Sequence, residues 1–458
     1  MANKVTIIGG GLAGSEAAWQ IAKRGMDVLL YEMRPKKQTG AHSSGYLAEL
    51  VCSNSLGSQL GDRASGVLMN ELKEMGSLLL DCAEIVPVPA GGALAVDRDA
   101  FAKLVTEKIT SQPRISLIRK EVTQLPREGI VIVASGPLTS EALSKDIAKL
   151  TGENHLYFFD ALSPIVEADS IDYSIAFLGS RYERGKMEAG DYINCPMDKK
   201  EYEVFIEALL EAERIPLREF EIAVKKGVRA GMHRYFEGCL PVEVIAERGR
   251  EALAYGPMRP VGLVDPRIGK RSYAVVQLRQ DNLAGSLYNM VGFQTNLKYS
   301  EQRRVFKMIP GMSQVKIVRY GHMHRNTFIN SPVLLLPTLQ FRQQQKLFFA
   351  GQITGAEGYM GNIATGLLAG INAYRLASGN SPITLPRFTM MGSLCHYVSH
   401  ADPSQFQPMK ANFGIMAPLE DGIRRNRRER SKAYAERSLS EIIRFKDTIA
   451  EQISHSHP

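Results

Sequence analysis

The sequence predicts an α/β fold, in which a Rossmann-like domain is assembled from discontinuous segments and an α+β domain is inserted between them. The chain opens with an apolar strand, a glycine-rich turn and a helix, "VTIIGGGLAGSEAAWQIAKRG", and a similar pattern, "KLFFAGQITGAEGYMGNIATGLLAGINAYR", returns late. Between them, helix-like and strand-like patterns mix. We therefore place the Rossmann-like domain in residues 1–180 and 311–458, and the inserted domain in residues 181–310.

The opening turn predicts a dinucleotide site. In Gly9-x-Gly11-x-x-Gly14, the first glycine allows a tight turn, the second admits a pyrophosphate to the backbone, and the third lets helix and strand pack closely. A helix from Ala13 to Arg24 would direct its N-terminal N–H groups at the phosphates. The second strand, "DVLLYE", ends in Glu32, whose carboxylate would accept hydrogen bonds from ribose hydroxyls. The predicted contacts here are Gly9, Gly10, Gly11, Leu12, Ala13, Gly14 and Glu32.

Two later stretches favour FAD over NAD as the dinucleotide. "GIVIVASGPLTS" predicts a strand that ends near Gly136, and "KLFFAG" predicts a strand that ends at Gly351 and Gln352. In two-segment flavoproteins the helix after such a returning strand points its positive N-terminus at the flavin pyrimidine ring. We therefore predict FAD, with these three residues among its contacts. For the late segment taken alone, the alternative is an ordinary glycine-rich helix packed in the core.

Other segments fill the predicted fold. "GGALAVDRDAFAKLVTEKI" predicts a strand and then an amphipathic helix, with Phe101, Leu104, Val105 and Ile109 on one face. In the inserted domain, "KKEYEVFIEALLEAERI" predicts a helix, while "SYAVVQLRQ" and "LYNMVGFQT" predict strands.

Composition excludes several classes of protein. The 458 residues carry apolar runs of strand length only, too short to cross a bilayer, and nothing before Val5 resembles a signal peptide. The five cysteines form no C-x-x-C pair, so neither a zinc site nor a disulfide framework is indicated. We expect a cytoplasmic protein with no membrane contact, no metal and no obligate protein partner.

The net charge of +8 is concentrated partly in "GIRRNRRERSKAYAER" near the C-terminus. One interpretation is a solvated helix face. The other is a surface for a polyanion such as RNA, which Arg424, Arg425, Arg427 and Arg428 would contact.

Several motifs spread along the chain resemble one family. They are "GGGLAGSEAAW", "SNSLGS", "ASGPLTS", "FEGCLPVE", "GHMHRNTFINSP" and "AGQITGAEGYMGN". Together they resemble TrmFO, the bacterial folate- and FAD-dependent tRNA (uracil-5-)-methyltransferase family. "GQITGAEGY" is also similar to the related flavoprotein MnmG, whereas "VCSNS" and "EGCLP" are TrmFO-like. The resemblance extends at least from Val5 to about Arg375, and the tail after Phe388 is not matched.

The resemblance implies a reaction and its partners. Methylenetetrahydrofolate would provide a one-carbon unit, reduced FAD the electrons that make it a methyl group, and NADPH or NADH the electrons for the flavin. The acceptor would be C5 of a uridine in tRNA, at position 54 of the T-loop, with rRNA as a possible target. Alternatives are MnmG-like chemistry, a simple NAD(P)H oxidoreductase, and a flavin-containing RNA-binding protein without turnover.

Two cysteines match the family's functional pair. Cys239 would attack C6 of the uracil, and Cys52 would assist in removing the C5 proton. Cys52 stands where an apolar run changes to small polar residues, and Cys239 precedes a helix predicted to start near Pro241, which lowers the pKa of a thiol. From the residues alone, each cysteine also fits a small buried side chain. We expect Cys82, Cys195 and Cys395 to be structural.

The stretch "GHMHRNTF" brings together His322, His324 and Arg325. A third metal ligand at suitable spacing is missing, so a metal site is not predicted. The stretch is either a polar wall facing the folate or flavin, or a loop anchor.

Overall fold

The computed structural model describes the backbone of residues 4–152, 156–183, 185, 187, 189–216, 240–419 and 426–454, without the side chains of 156–160, 324, 325, 427 and 450–454. The strands are β1 Val5–Ile8, β2 Val28–Glu32, β3 Ser55–Ser58, β4 Pro87–Val88, β5 Ala93–Val96, β6 Ile115–Arg119, β7 Ile130–Val133, β8 Leu156–Ala161, β9 Ile165–Glu167, β10 Phe177–Gly179, β11 Tyr192–Met197, β12 Ala274–Gln280, β13 Leu287–Met290, β14 Ile317–Arg319, β15 Met323–Phe328, β16 Gln340–Phe341 and β17 Gln344–Phe349. The helices are α1 Leu12–Ala22, α2 Ala64–Glu74, α3 Leu78–Ile85, α4 Arg98–Thr110, α5 Glu141–Thr151, α6 Lys199–Glu211, α7 Val242–Glu247, α8 Ala252–Tyr255, α9 Tyr299–Phe306, α10 Ser331–Leu334, α11 Tyr359–Ala377, α12 Met390–His400 and α13 Arg427–Ser454.

The first sheet has the strand order β16-β17-β7-β1-β2-β6. All strands except the edge strand β16 run parallel, and β1 lies between β2 and β7. The late strand β17 pairs with β7, so two segments distant in the chain form one sheet. The predicted α/β fold with a discontinuous Rossmann-like domain is therefore confirmed.

Small residues let the two main helices of this domain, α1 and α11, pack closely. A Cβ at Gly366 would stand 2.3 Å from the carbonyl oxygen of Ala13, and one at Gly370 would stand 2.8 Å from that of Ala17. Only glycine tolerates such an approach. The crossing brings the N-terminus of α11 next to the turn between β1 and α1.

The second sheet is antiparallel, with the order β10-β11-β12-β13-β9-β14. Helix α6 packs on it through Tyr202, Phe205 and Leu209, all fully buried. Its strands span Ile165 to Arg319, beyond both predicted limits, 181 and 310. Because β9 and β14 complete this sheet, we propose domain boundaries near residues 162 and 322.

The C-terminal helix α13 docks on the first domain. Ile442 and Ile449 are buried in its core, and the carboxylate of Glu71 on α2 accepts a hydrogen bond from the hydroxyl of Ser438. The same carboxylate accepts the backbone N–H groups of Met390 and Met391, the first residues of α12, at 2.6 and 2.7 Å. One buried carboxylate thus ties three helices together. No helix in the described parts of the chain combines the length and apolar character needed to span a membrane.

Candidate active-site cleft

A cleft of about 640 Å³ opens at the carboxyl ends of β1, β2 and β7. This edge of a parallel sheet is where ligands bind in open α/β folds. Of the residues predicted to contact the dinucleotide, those that line it are Gly9, Gly11, Leu12, Ala13, Glu32, Gly136, Gly351 and Gln352. Cys52 also lines the cleft, whereas Gly10 and Gly14 are not among its lining residues.

The glycines of the first turn have distinct roles. Gly9 has φ +105°, and a Cβ there would stand 2.4 Å from the carbonyl oxygen of Ala134 at the end of β7. A Cβ at Gly14 would stand 1.8 Å from the carbonyl oxygen of Gly9. A Cβ at Gly11 would meet nothing within 4 Å, so this part of the backbone faces open space. The turn between β1 and α1 is therefore closely packed at Gly9 and Gly14, and its backbone at Gly11 is open to a ligand in the cleft.

Glu32 is engaged within the protein. Its carboxylate accepts the backbone N–H groups of Gly10 and Arg34, each at 2.9 Å, and Nε of Arg34 at 3.0 Å. Nη1 of Arg34 donates in turn to Glu49 at 3.1 Å. Burial alone would raise the pKa of Glu32, but the Arg34 guanidinium and these hydrogen bonds hold it below its usual value. The carboxylate is therefore ionised at the cleft wall.

The N-terminus of α11 forms the opposite wall. Gly351 has φ +81° and donates its N–H to the hydroxyl of Thr365 at 2.9 Å. The amide of Gln352 donates to Glu357 at 2.7 Å, and burial raises the pKa of that carboxyl. Gly358 precedes the helix and carries no side chain that could cap it. The positive end of α11 thus faces the cleft.

Cys52 lies on a loop held by the first residue of α11. The hydroxyl of Tyr359 accepts the backbone N–H groups of Cys52 and Ser53 at 2.9 and 3.1 Å. The thiol is half-buried, and its Sγ lies 3.9 Å from the carbonyl oxygen of Ala161. Burial, and then the neighbouring Cys52, raises the pKa of Tyr359, so its hydroxyl keeps its proton. The thiol is accessible while its backbone is fixed.

Three arginines pack around this loop. Arg98 donates to the carbonyl oxygens of Leu50 and Val51 at 2.7 and 3.2 Å and forms an ion pair with Asp281 at 2.9 Å. Arg279 donates through Nη2 to the hydroxyl of Ser53 at 2.6 Å and through Nε to the side-chain oxygen of Asn54 at 2.9 Å.

The third arginine is Arg319. Burial, and then the charge of Arg98, lowers the pKa of Arg319 to about 10, which leaves it charged at neutral pH. Arg98 is balanced by Asp281, so Arg279 and Arg319 supply the remaining positive charge near the loop of Cys52.

Two amide side chains of the cleft have unpaired polar atoms. Asn326 is 1 % exposed, lines the cleft, and has no hydrogen-bond partner for either its nitrogen or its oxygen within the described structure. In the same part of the structure, the Oδ1 atom of Asn362, on the first turn of α11, is also unpaired. Buried polar atoms without partners are costly and mark positions where a ligand completes the hydrogen bonding.

The remaining cysteines differ sharply from Cys52. Cys82, Cys195 and Cys395 are buried, and burial raises the pKa of each thiol to about 12. They are protonated and inaccessible at neutral pH. Cys239 lies outside the described residues; helix α7 begins at Val242, next to the predicted start at Pro241.

The histidine motif connects the two domains. His322 is half-buried, its carbonyl oxygen accepts the N–H of Leu162 at 2.9 Å, and burial lowers the pKa of its ring. His324 and Arg325 lie in β15, and their side chains are outside the described part. Among the described residues, no group of three His, Cys, Asp or Glu could hold a metal ion.

The basic tail is only partly described. Arg424 and Arg425 lie outside the described residues, Arg427 is the first residue of α13, and Arg428 is exposed. Among the cleft residues that the sequence did not single out are Arg34, Glu49, Asn326, Glu357, Tyr359 and Asn362. Four of them stand inside recognised motifs, but the motifs do not show which of their polar atoms are paired.

The sheet order, the glycine turn and the cleft at the strand ends define a Rossmann-like protein of the FAD-binding type. The same fold occurs in GidA from Aquifex aeolicus, with a TM-score of 0.67 and 16% identity over 99% of this chain and 77% of that one. The profile of the family described as glucose inhibited division protein A matches residues 4–381.

Closer relatives carry a more specific name, methylenetetrahydrofolate–tRNA-(uracil-5-)-methyltransferase TrmFO. The relative from Pelotomaculum thermopropionicum is 57% identical over 97% of this chain and 99% of its own. The relative from Heliobacterium modesticaldum is 53% identical over 96% of this chain and 97% of its own. This chain belongs to the TrmFO family, as its motifs predict.

Proposed function

We propose that this protein transfers a one-carbon unit from methylenetetrahydrofolate to C5 of a uridine in tRNA, with FAD as its cofactor and NADPH or NADH as reductant. The observation that carries the proposal is identity of 53% or more over at least 96% of the chain to relatives named for this reaction. The proposed target is uridine 54 of the T-loop, and the proposed compartment is the cytoplasm.

FAD fits the cleft on three observations. The open backbone at Gly11 and the N-terminus of α1 suit a pyrophosphate, and the positive end of α11 suits the flavin pyrimidine ring. The unpaired amides of Asn326 and Asn362 suit a ring edge that has both N–H and C=O groups. When bound, FAD relays the one-carbon unit of the folate and the hydride of the nicotinamide.

The cysteines would do the chemistry on the uracil. A thiolate of Cys239 would add to C6 and make C5 nucleophilic, and once C5 has bonded to the one-carbon unit, Cys52 would accept the C5 proton. The carrier would then leave the one-carbon unit with the electron pair of their bond. A hydride, supplied by the reduced cofactor, would convert the resulting methylene to a methyl group as the C6–S bond breaks and frees Cys239. Tyr359 fixes the backbone of Cys52 and so orients the proton acceptor. Arg98 and Arg279 hold this loop through hydrogen bonds to the carbonyl oxygens of Leu50 and Val51 and to the hydroxyl of Ser53.

The experiment uses tRNA with 5-fluorouridine at the target position. Fluorine cannot leave C5 as a cation, so the covalent protein–RNA adduct accumulates and is seen on a denaturing gel. Wild type and Cys395→Ala should form it, Cys239→Ala should not, and Cys52→Ala should form it while failing to methylate normal tRNA. Full methylation by Cys239→Ala would overturn the proposed chemistry. Tritium release from C5-labelled tRNA and rRNA transcripts distinguishes the two targets.

A further inference from the structure

The segment from Tyr255 to Arg271 leads from α8 towards β12. It exposes apolar side chains that do not pack in the core. Tyr255 is 80% exposed, Val264 57% and Ile268 61%. Two other residues of the segment, Met258 and Leu263, are buried and anchor it to the inserted domain. Its apolar residues therefore divide into anchors and an outward-facing set.

The same segment is basic. Arg259, Lys270 and Arg271 are exposed, and in the described part of the chain they form no ion pair. The only carboxylate of the segment, Asp265, is already paired with Arg267. Within the described part of the chain, the segment thus carries three exposed cations without an ion-pair partner, together with an exposed aromatic ring.

The backbone of the segment is ordered in spite of its exposure. The N–H of Asp265 donates to the carbonyl oxygen of Lys270 at 3.0 Å, and the N–H of Gly269 donates back to that of Asp265 at 2.9 Å. Arg267 reaches the carbonyl oxygen of Ser174 at 2.8 Å. The tip is therefore held in one arrangement, which lowers the entropy cost of binding a partner.

The chain that leads into this segment starts at the edge of the cleft. The N–H of Val242 donates to the carbonyl oxygen of Gln294 at 2.7 Å, and Gln294 lines the cleft. From Val242 the chain runs through α7 and α8 directly into the segment. The segment thus belongs to the same domain as α7, which begins three positions after the proposed nucleophile, Cys239, in the sequence.

We propose that the segment 255–271 is an RNA-docking surface that holds the substrate beside the cleft. Uncompensated cations bind phosphates, while an exposed tyrosine and isoleucine offer contact surfaces for unstacked bases. The inference rests on the proposed function, because it names where the RNA of that reaction binds. It is independent of the arginine-rich tail, which belongs to the other domain.

The test measures binding of a fluorescent tRNA transcript by the full-length, FAD-loaded protein at several salt concentrations. The triple variant Arg259→Ala, Lys270→Ala, Arg271→Ala should bind more weakly, with the slope of log Kd against log salt reduced by about 2, since each phosphate that is no longer neutralised removes about 0.7–0.9. Tyr255→Ala should weaken binding about 10-fold and leave the slope unchanged, since stacking is not salt-dependent. FAD content and NADPH oxidation should be unaffected in both.

The matched control removes three exposed lysines from the first domain, Lys103, Lys145 and Lys149. It lowers the net charge equally and should change the slope far less. If the triple variant binds tRNA like wild type while wild type methylates tRNA, the inference is overturned and the proposed function stands. If wild type neither binds nor methylates tRNA, the proposed function itself fails.

Discussion

The hydroxyl of Tyr359 accepts the backbone N–H of Cys52 at 2.9 Å, across 307 positions of the chain. Tyr359 is the first residue of α11, and α11 is fixed against α1 by close packing at its glycines. The helix that presents its positive end to the cleft therefore also holds the reactive loop in place. Cofactor binding and thiol orientation depend on one element.

We predict that Tyr359→Phe keeps FAD but loses 10- to 100-fold in methyl transfer, because a displaced catalytic group costs about that much. The half-buried N–H groups of Cys52 and Ser53 would lose their acceptor, so the free energy of unfolding should fall by about 1 kcal/mol. The control is Tyr397→Phe, whose hydroxyl donates to the carbonyl oxygen of Gln407 at 3.0 Å and which does not line the cleft. Equal activity in the two variants would contradict the prediction.

Local patterns made much of the fold predictable. The turn at Gly9 and the strand ending in Glu32 follow from spacing within about 30 residues, and the buried face of α4, with Phe101 and Val105, follows from helical periodicity. The limits that we propose for the inserted domain depend on β9 and β14, which have three residues each and show no periodicity in the sequence.

The candidate site was predictable only in part. Its glycines and Cys52 stand in recognisable motifs, whereas the bond from Tyr359 joins residues that only the folded chain brings together. The unpaired amide of Asn326 is likewise invisible in sequence, because an asparagine in a strand gives no sign of whether its partners are missing.

A second prediction concerns Glu32. Glu32→Ala should weaken FAD binding by about 1–3 kcal/mol, since a buried carboxylate that orders the turn and offers an acceptor to ribose is removed. The N–H of Gly10 and the guanidinium of Arg34 also lose their acceptor. Flavin fluorescence titration measures the change. Asp27→Ala, which removes an exposed ion pair with Arg114 just before the same strand, should leave FAD affinity intact.

The arginine-rich tail is tested by neutralising Arg424, Arg425, Arg427 and Arg428 together. We expect weaker tRNA binding, with the log–log salt slope reduced by about 0.7–0.9 for each phosphate that these arginines no longer neutralise. NADPH oxidation and FAD content should not change. Unaltered affinity and slope would mean that these arginines form only a solvated helix face.

Glu71 predicts a pH dependence of stability. Burial raises the pKa of Glu71 from 4.5 to about 7. The folded protein holds this proton more tightly than the unfolded chain, so the stabilisation is complete below pH 4.5 and is lost as the pH rises to about 7. Between about pH 5 and 8, wild type should lose on the order of 2–3 kcal/mol of unfolding free energy relative to Glu71→Gln, measured in urea. The control is Glu74→Gln, at a partly exposed position on the same helix, against which the pH dependence of Glu71→Gln is compared.

The unpaired amide of Asn326 predicts opposite effects on stability and on binding. In the flavin-free protein, Asn326→Leu should raise the free energy of unfolding by about 1–3 kcal/mol, because an apolar side chain of similar size removes two unpaired buried polar atoms. Binding of a ring ligand with adjacent N–H and C=O groups should weaken by a similar amount, since its partner is gone.

The control for this change is Asn372→Leu. Asn372 is fully buried too, but its amide donates to the carbonyl oxygens of Thr338 and Ile383 at 3.1 and 2.9 Å and accepts the N–H of Ile383 at 2.8 Å. Removing these satisfied bonds should lower stability by about 1–3 kcal/mol. Denaturation of both flavin-free variants, together with titration by FAD and by the folate, measures the two effects separately. A loss of stability in Asn326→Leu as large as that in Asn372→Leu would contradict the prediction. It would show that the amide of Asn326 is hydrogen-bonded within the protein and is not a ligand contact.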